Sequence, residues 1–283
     1  MSDAIEHISD TAFWVAAFRA RESERTDALF RDPFAARMIE GRGGAVAARM
    51  GNPDMIAWTV AVRTWLIDEY VRAAIDAGCD TVLNLGAGLD TRPYRMELPP
   101  ALRWIEVDLS EAVDFKTERL RNERQRCELR RIKLDITSRS ARAPLFDEIQ
   151  AQSTKVLVLT EGVIPYLKSE DVSDLAADLR ARPSFAWWVL EYFSEQWTRM
   201  SRFMKQQRQV RREFQPGDWY RFFEDRGWRV KSVRYLHDEG RRLNRLAPIG
   251  LWARLGMRLL STERRQAIQT MFGYALMENA GGA

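Results

Sequence analysis

From residue 81 onward, short apolar runs alternate with longer segments whose apolar residues recur at helical spacing. The runs at 81–85, 102–107, 129–134, 155–159, 185–190, 228–236 and 272–277 have the length and composition of strands. The fifth is apolar almost without interruption, as expected of a strand covered on both faces. Ahead of them the chain reads as helices. Phe13, Val15, Ala16, Ala17 and Phe18 lead into a charged turn at 21–25, and Asp32-Pro33 opens a second helix with proline in its tolerated first turn, broken by the glycines at 41–44. Residues 55–77 form one long helix with Trp58, Val62, Trp65 or Leu66, and Tyr70 on one face, ended by Gly78. Further helices are predicted at 169–182, with Ser169 as cap and acids in the first turn, at 196–214 as a basic amphipathic helix or helix pair, and at 216–226, stopped by Gly227. Strand–helix alternation predicts an α/β fold with an open, mostly parallel sheet, whose ligands sit beyond the carboxyl ends of the strands where strand order reverses.

With 283 residues, 46% of them hydrophobic, the chain can bury one large core, or one core and a cap. Two cysteines, Cys79 and Cys127, make neither a disulfide framework nor a metal-ligand spacing, and two histidines, His7 and His237, cannot build a histidine-rich site, so no metal is expected. That cysteine usage fits a reducing cytoplasm, and the lack of any apolar run of about 18 residues argues against a membrane span. Residues 1–10 are polar and expected to fray. The net charge of +4 hides a local basic excess: 14 Lys/Arg against 6 Asp/Glu between 196 and 245. A solvated helical face and a platform for an acidic ligand both fit it. Trp197, Phe203, Phe214, Trp219 and Tyr220 are interleaved there, but near helical spacing, which turns them inward; no nucleic-acid partner is expected.

The chemistry concentrates at strand ends. The first strand runs into Gly86-Ala87-Gly88, and the second ends on Asp108, 22 residues beyond Gly86, with Leu109 following. Glycines there admit a ligand close to the backbone, and an acid at the next strand tip can accept both hydroxyls of a ribose, so a nucleoside-containing cofactor is expected. The third position of a dinucleotide-type glycine turn is Thr91, preceded by Asp90. A carboxylate there repels a diphosphate and suits a cation, such as the sulfonium or α-ammonium of S-adenosylmethionine, which places the methyl donor ahead of NAD. A nicotinamide-linked oxidoreductase and a turn that binds nothing remain as alternatives. Asp135 and Glu161 stand at the next two strand ends.

RARES–DPFA (19–35), VRTWLID (62–68), NLGAGLDTRPYR (84–95), EVDLS (106–110) with Lys116, and TEGVIPYL (160–167) together resemble the leucine carboxyl methyltransferase family, in particular its bacterial branch of polyketide-type O-methyltransferases. The resemblance covers roughly 11–193. It implies a class I methyltransferase, Rossmann-like seven-stranded sheet with an α-helical lid: 1–78 as lid and cofactor-carboxylate helix, and 79–283 as core, with a helical insertion at about 194–215. It implies S-adenosylmethionine as cofactor and S-adenosylhomocysteine as product. Arg63 then resembles the arginine on the methionine carboxylate, with Arg19 near it. Gly86, Ala87 and Gly88 resemble the cofactor loop, Asp108 the ribose acid, Asp135 the acid on the adenine amino group with Ile136 beside it, and Glu161 a glutamate by the cofactor. On the residues alone, Arg63 reads as a surface position of an amphipathic helix, Asp135 equally as a loop cap, and Lys116 as a solvated helix lysine.

Methyl transfer from a sulfonium is an in-line displacement in which the protein supplies orientation and dryness. A carboxylate acceptor is already ionised at neutral pH, whereas a phenol needs a base or a nearby cation. The scarcity of histidine favours an acidic acceptor, and no base is nominated. An acceptor pocket is expected between the N-terminal helices and the insertion after the fifth strand, from Trp14, Phe18, Tyr166, Tyr192, Phe193, Trp197, Phe203 and Met204. Their density suggests a flat or apolar small molecule; the alternative is the family's protein C-terminal carboxylate. The oligomeric state is not legible.

Overall fold

The computed structural model describes residues 9–40, 53–201 and 212–281. The glycine break at 41–44, Phe203, Met204 and most of the basic segment after 201 lie outside the described residues. Helices α1 (Ser9–Ser23), α2 (Ala35–Ile39) and α3 (Pro53–Asp76) precede strand β1 (Thr81–Leu85). There follow α4 (Arg92–Arg95), β2 (Arg103–Asp108), α5 (Ser110–Arg119), β3 (Glu128–Lys133), α6 (Arg139–Gln152) and β4 (Val156–Thr160). A 3₁₀ turn (Ile164–Tyr166) leads to α7 (Ser169–Arg180), β5 (Phe185–Phe193) and α8 (Glu195–Ser201). The chain then forms α9 (Trp219–Glu224), β6 (Trp228–Tyr235), α10 (Leu236–Arg242), α11 (Leu251–Arg258), α12 (Thr262–Gln269) and β7 (Phe272–Asn279).

The seven strands form one sheet in the order β3-β2-β1-β4-β5-β7-β6. β1 to β5 are mutually parallel, and β7 runs antiparallel between β5 and β6. All five residues of β1 and of β4 are buried, since helices cover both faces. Alternate side chains feed two cores. Leu83, Leu85, Ile105 and Val158 pack with Phe146, Leu175 and Trp228 on one face. Val82, Trp104, Leu157 and Val189 pack with Val62, Leu66, Ile67 and Tyr70 of α3 on the other. A smaller cluster of Phe13, Ala16, Met38, Leu89 and Tyr94 seats α1 and α2 over the turn after β1. Strand order reverses between β1 and β4, so the crevice lies at the ends of β1, β2 and β4.

Several expectations shift. Ser169 is the first helical residue of α7 and makes no side-chain cap; the preceding Lys168 is extended, while Glu170 and Asp171 still sit in the first turn, where the helix dipole favours acids. The helix predicted at 216–226 contracts to α9, because Asp218 caps it by accepting from Arg221 N at 3.0 Å and leaves Pro216 and Gly217 outside. Residues 212–216 are irregular rather than helical: Glu213 N and Phe214 N donate to Pro165 O, at 2.9 and 3.3 Å, outside any helical pattern. Lys116 is not solvated. It is 1% exposed and pairs with Glu106 at 2.8 Å, a carboxylate shared with Arg131, because α5 turns it down onto the β2 end of the sheet. Among the described residues no helix is long and apolar enough to cross a membrane, and no cluster of three metal-binding side chains occurs.

Candidate functional site

Gly86 and Gly88 adopt left-handed backbone, φ +69° and +45°, and a Cβ on Gly86 would collide with the Val163 side chain from the turn after β4. Gly86 N and Ala87 N both donate to Val107 O, at 2.8 and 3.2 Å, so the turn is tied back to β2. Asp108 is drawn to the same place. Its Oδ2 accepts from Gly88 N at 2.6 Å and its Oδ1 from Leu109 N at 2.7 Å. Leu109 beside it is 57% exposed, a large apolar side chain standing at the mouth. Asp135, one strand further along, is exposed; its Oδ1 accepts from Thr137 N and Oγ1 at 2.9 and 2.8 Å, a loop cap as well as a free edge. Ile136 is buried, and its carbonyl accepts from Arg142.

Behind this rim lies an ion network. Arg92 donates from Nε to Asp68 Oδ1 (2.7 Å) and from Nη1 to both Asp90 Oδ2 and Glu161 Oε2 (2.8 Å each). Arg95 grips both oxygens of Asp68 at 2.6 and 2.7 Å. Arg19 pairs with Asp32 at 3.0 Å, and its Nη2 donates to Leu89 O at 2.5 Å. Arg63 Nε lies 2.8 Å from Glu161 Oε1, an ion pair without the alignment of a hydrogen bond. Four guanidiniums thus face four carboxylates. Burial would raise Asp68, Asp90 and Glu161, but the adjoining guanidiniums outweigh it and hold all three below the usual carboxylate range. Burial would likewise lower Arg63, but Tyr274, Glu161 and Glu191 raise it.

The geometry brings Arg63, Gly86, Ala87, Gly88, Asp90, Asp108 and Glu161 to one rim. It gives Asp90, and Arg19 behind the rim, other partners than expected. Asp90 is not a bare charge, since Asn84 and Arg92 both engage its Oδ2. Arg19 is tied to Asp32, Leu89 and Thr91 and fastens α1 to the turn.

Sequence reasoning missed Glu191. It lies near the end of β5, opposite Tyr274 of β7 in the antiparallel register, and is 3% exposed. Its Oε1 accepts from Gly162 N, while its Oε2 has no hydrogen-bond partner. Burial pushes its carboxyl up to about 7, against the pull of the Gly162 amide and Arg63. The one signal was an acid interrupting an apolar strand, WVLEYF.

Beyond β5 a small open cleft is lined by Pro165, Phe193, Trp197, Arg212, Phe214 and Trp219, among others. Phe193 stacks on Phe272 (4.7 Å) and more loosely on Trp197 (6.5 Å), and the Arg212 guanidinium lies 4.7 Å over the Phe193 ring. The indole nitrogens of Trp197 and Trp219 are buried without a partner. Trp14 and Tyr166 are half-buried. Two expected lining residues are core instead. Phe18 is fully packed on the inner side of α1, and Tyr192, alternating with Phe193, faces the opposite side of the sheet among Trp219, Tyr220 and Tyr235.

Residues 12–180 match the model of the leucine carboxyl methyltransferase family. A Mycobacteroides abscessus protein, provisionally named an S-adenosyl-L-methionine-dependent methyltransferase, is 33% identical over 62% of this chain and 62% of its own length. A similarly named Frankia alni protein is 35% identical over 62% of this chain and 65% of its own. The matched stretch thus spans just under two thirds of these relatives. A DUF574 family protein of Streptomyces avermitilis shares the fold, with a TM-score of 0.54 at 14% identity over 93% of this chain and 96% of that one. The seven-stranded sheet is the class I methyltransferase sheet that the motifs implied. With its matched region covering more than half of the sequence, the chain belongs to the leucine carboxyl methyltransferase family.

Proposed function

We propose that this protein is an S-adenosylmethionine-dependent methyltransferase that methylates an oxygen of a small acceptor, a carboxylate or phenol of a polyketide-like or other aromatic molecule. The observation that carries the cofactor half is Asp108, pinned at 2.6 Å to the Gly88 amide at the point where strand order reverses. The residues present fit the cofactor. Gly86 and Gly88 hold the left-handed turn that carries the backbone past the end of β1, and Arg63 Nε is a buried donor still lacking an aligned acceptor. Asp108 would hold the ribose hydroxyls, Asp135 and Ile136 the adenine, Arg63 the methionine carboxylate, and the 86–88 backbone the span between them. Leu109 would shield the sugar edge. Bound there, the cofactor supplies an electrophilic methyl group on a sulfonium.

The chain's own work is orientation. Arg92 and Arg95 fix Asp68, Asp90 and Glu161 so that Arg63 is presented from a rigid helix face. The apolar rings of Phe193, Trp197 and Phe214 keep the acceptor side dry, which strengthens every charge interaction made in it. Arg212 and two unpartnered indole N–H groups favour an aromatic acceptor bearing oxygen.

Isothermal titration tests this reading. Micromolar binding of S-adenosylhomocysteine without binding of NAD is expected; binding of NAD alone would overturn it in favour of an oxidoreductase.

A further inference from the structure

Resting on that reading, we propose that Glu191 Oε2 is the proton acceptor for a hydroxyl group of the methyl acceptor, so that the substrate class is a phenol or enol rather than a carboxylate. The carboxyl group is fixed on one side and unpaired on the other. Oε1 is anchored by the Gly162 amide, while Oε2 is buried and lacks any donor. An unpaired buried acceptor is destabilising, and a fold keeps such a group most readily beside a ligand that will engage it.

The position of Glu191 is specific. It lies at the carboxyl end of β5, one strand over from Glu161 and two residues before Phe193, which lines the aromatic cleft. The groups facing it are Arg63 from α3, Glu161 from the end of β4, Tyr166 from the 3₁₀ turn, Tyr274 from β7 and Arg212 from the cleft wall. Arg63 is already paired with Glu161 and is shared between the two carboxylates, and Arg212 is the other cation facing Glu191. Tyr166 and Tyr274 are both pushed up by burial and are poor bases at neutral pH. His237 lies on α10, beside Asp238. Among the described residues this leaves one group at the junction with proton affinity near neutrality, where a general base is most effective.

The step balances. The acceptor O–H bond breaks and its proton goes to Glu191 Oε2. The freed oxygen pair forms the bond to the methyl carbon, and the carbon–sulfur pair stays on sulfur. The proton on Oε2 returns to water once the methyl ether leaves. An acceptor that is already a carboxylate would need no such group and would be repelled by it when ionised.

The test has two arms, both on the full chain. With ¹³C-carboxyl-labelled glutamate and S-adenosylhomocysteine bound, wild type is expected to show one resonance titrating near pH 7 that is missing in Glu191→Gln. With S-adenosylmethionine and a mixture of aromatic phenols and aromatic carboxylates, wild type is expected to yield methyl ethers and no esters. Glu191→Gln should be about 100-fold slower or more, with unchanged S-adenosylhomocysteine affinity, and Glu191→Asp should recover part of the rate. Methyl esters from wild type, ethers at the wild-type rate from Glu191→Gln, or no carboxyl titrating above about pH 6 would each overturn the proposal. If the mixture yields no product, or Glu191→Gln does not fold, the wild-type titration decides, with Glu191→Asp assigning the resonance. Failure of wild type to bind S-adenosylhomocysteine would instead overturn the cofactor reading.

Discussion

The two halves of the site are built on opposite plans. At the ends of β1, β2 and β4, Arg19, Arg63, Arg92 and Arg95 are matched against Asp32, Asp68, Asp90 and Glu161, and even Asp108 is held by two amides. At the end of β5 and in the cleft beyond it, Glu191 Oε2 and the indole nitrogens of Trp197 and Trp219 have no hydrogen-bond partner, whereas unaligned rim atoms such as Arg63 Nε still sit in ion pairs. A ligand entering the first half exchanges one set of contacts for another; one entering the second completes contacts that are missing. The first arrangement gives rigidity and a common cofactor geometry. The second gives discrimination, because a molecule lacking the right polar atoms leaves buried groups unsatisfied.

The sharpest way to break this contrast is Asp68→Ala, which strands Arg92 and Arg95 without their shared carboxylate. A loss of about 3–5 kcal/mol in denaturant unfolding is expected; a loss under about 1 kcal/mol would mean that the network is not what makes the rim rigid. Glu191 gives the next effect, with a definite sign. Its folded-state carboxyl is raised from 4.5 to about 7, so its contribution to stability is complete below 4.5 and is lost as pH rises through 7. Relative to Glu191→Gln, wild type should lose up to about 3 kcal/mol across that window, at about 1.4 kcal/mol per unit. A flat difference would show a solvated carboxylate instead. Asp108→Ala should weaken S-adenosylhomocysteine binding about 10- to 100-fold by calorimetry with little change in melting temperature. Smallest is Trp197→Phe, which keeps an aromatic six-membered ring and removes the N–H with the rest of the indole. An acceptor KM raised about fivefold with cofactor affinity unchanged is expected, the loss of one hydrogen bond.

The same contrast governs how much could be read from the chain. Gly86, Gly88 and Asp108 are legible because they follow apolar strands directly, and strand ends are where such sheets bind ligands. The seven strands were legible from the apolar runs, but their order, the antiparallel β7 and the helices α5, α6 and α10 to α12 were not, and the limits of α7 and α9 moved through Lys168 and Asp218. Nor was the ion network legible. Asp68 meets Arg92 and Arg95 across 24 and 27 residues, and each alone reads as a charge on a helix or turn. Lys116 shows the same failure, a lysine drawn inside by Glu106 of a neighbouring strand. Glu191 was hidden because an acid inside an apolar run declares neither its face nor its cross-strand neighbour until β7 pairs with β5. Tyr192 and Phe193 were grouped together although adjacent strand residues face opposite ways.

The central claim is that the rim receives an adenosyl ligand, with Arg63 handed from Glu161 to that ligand. A crystal structure with S-adenosylhomocysteine tests it most directly. Density for the ribose on Asp108 is predicted, with the Arg63–Glu161 pair of 2.8 Å opened and the guanidinium on the ligand carboxylate. Ligand bound elsewhere, or the pair still closed beneath a ligand that ignores Asp108, would contradict the account.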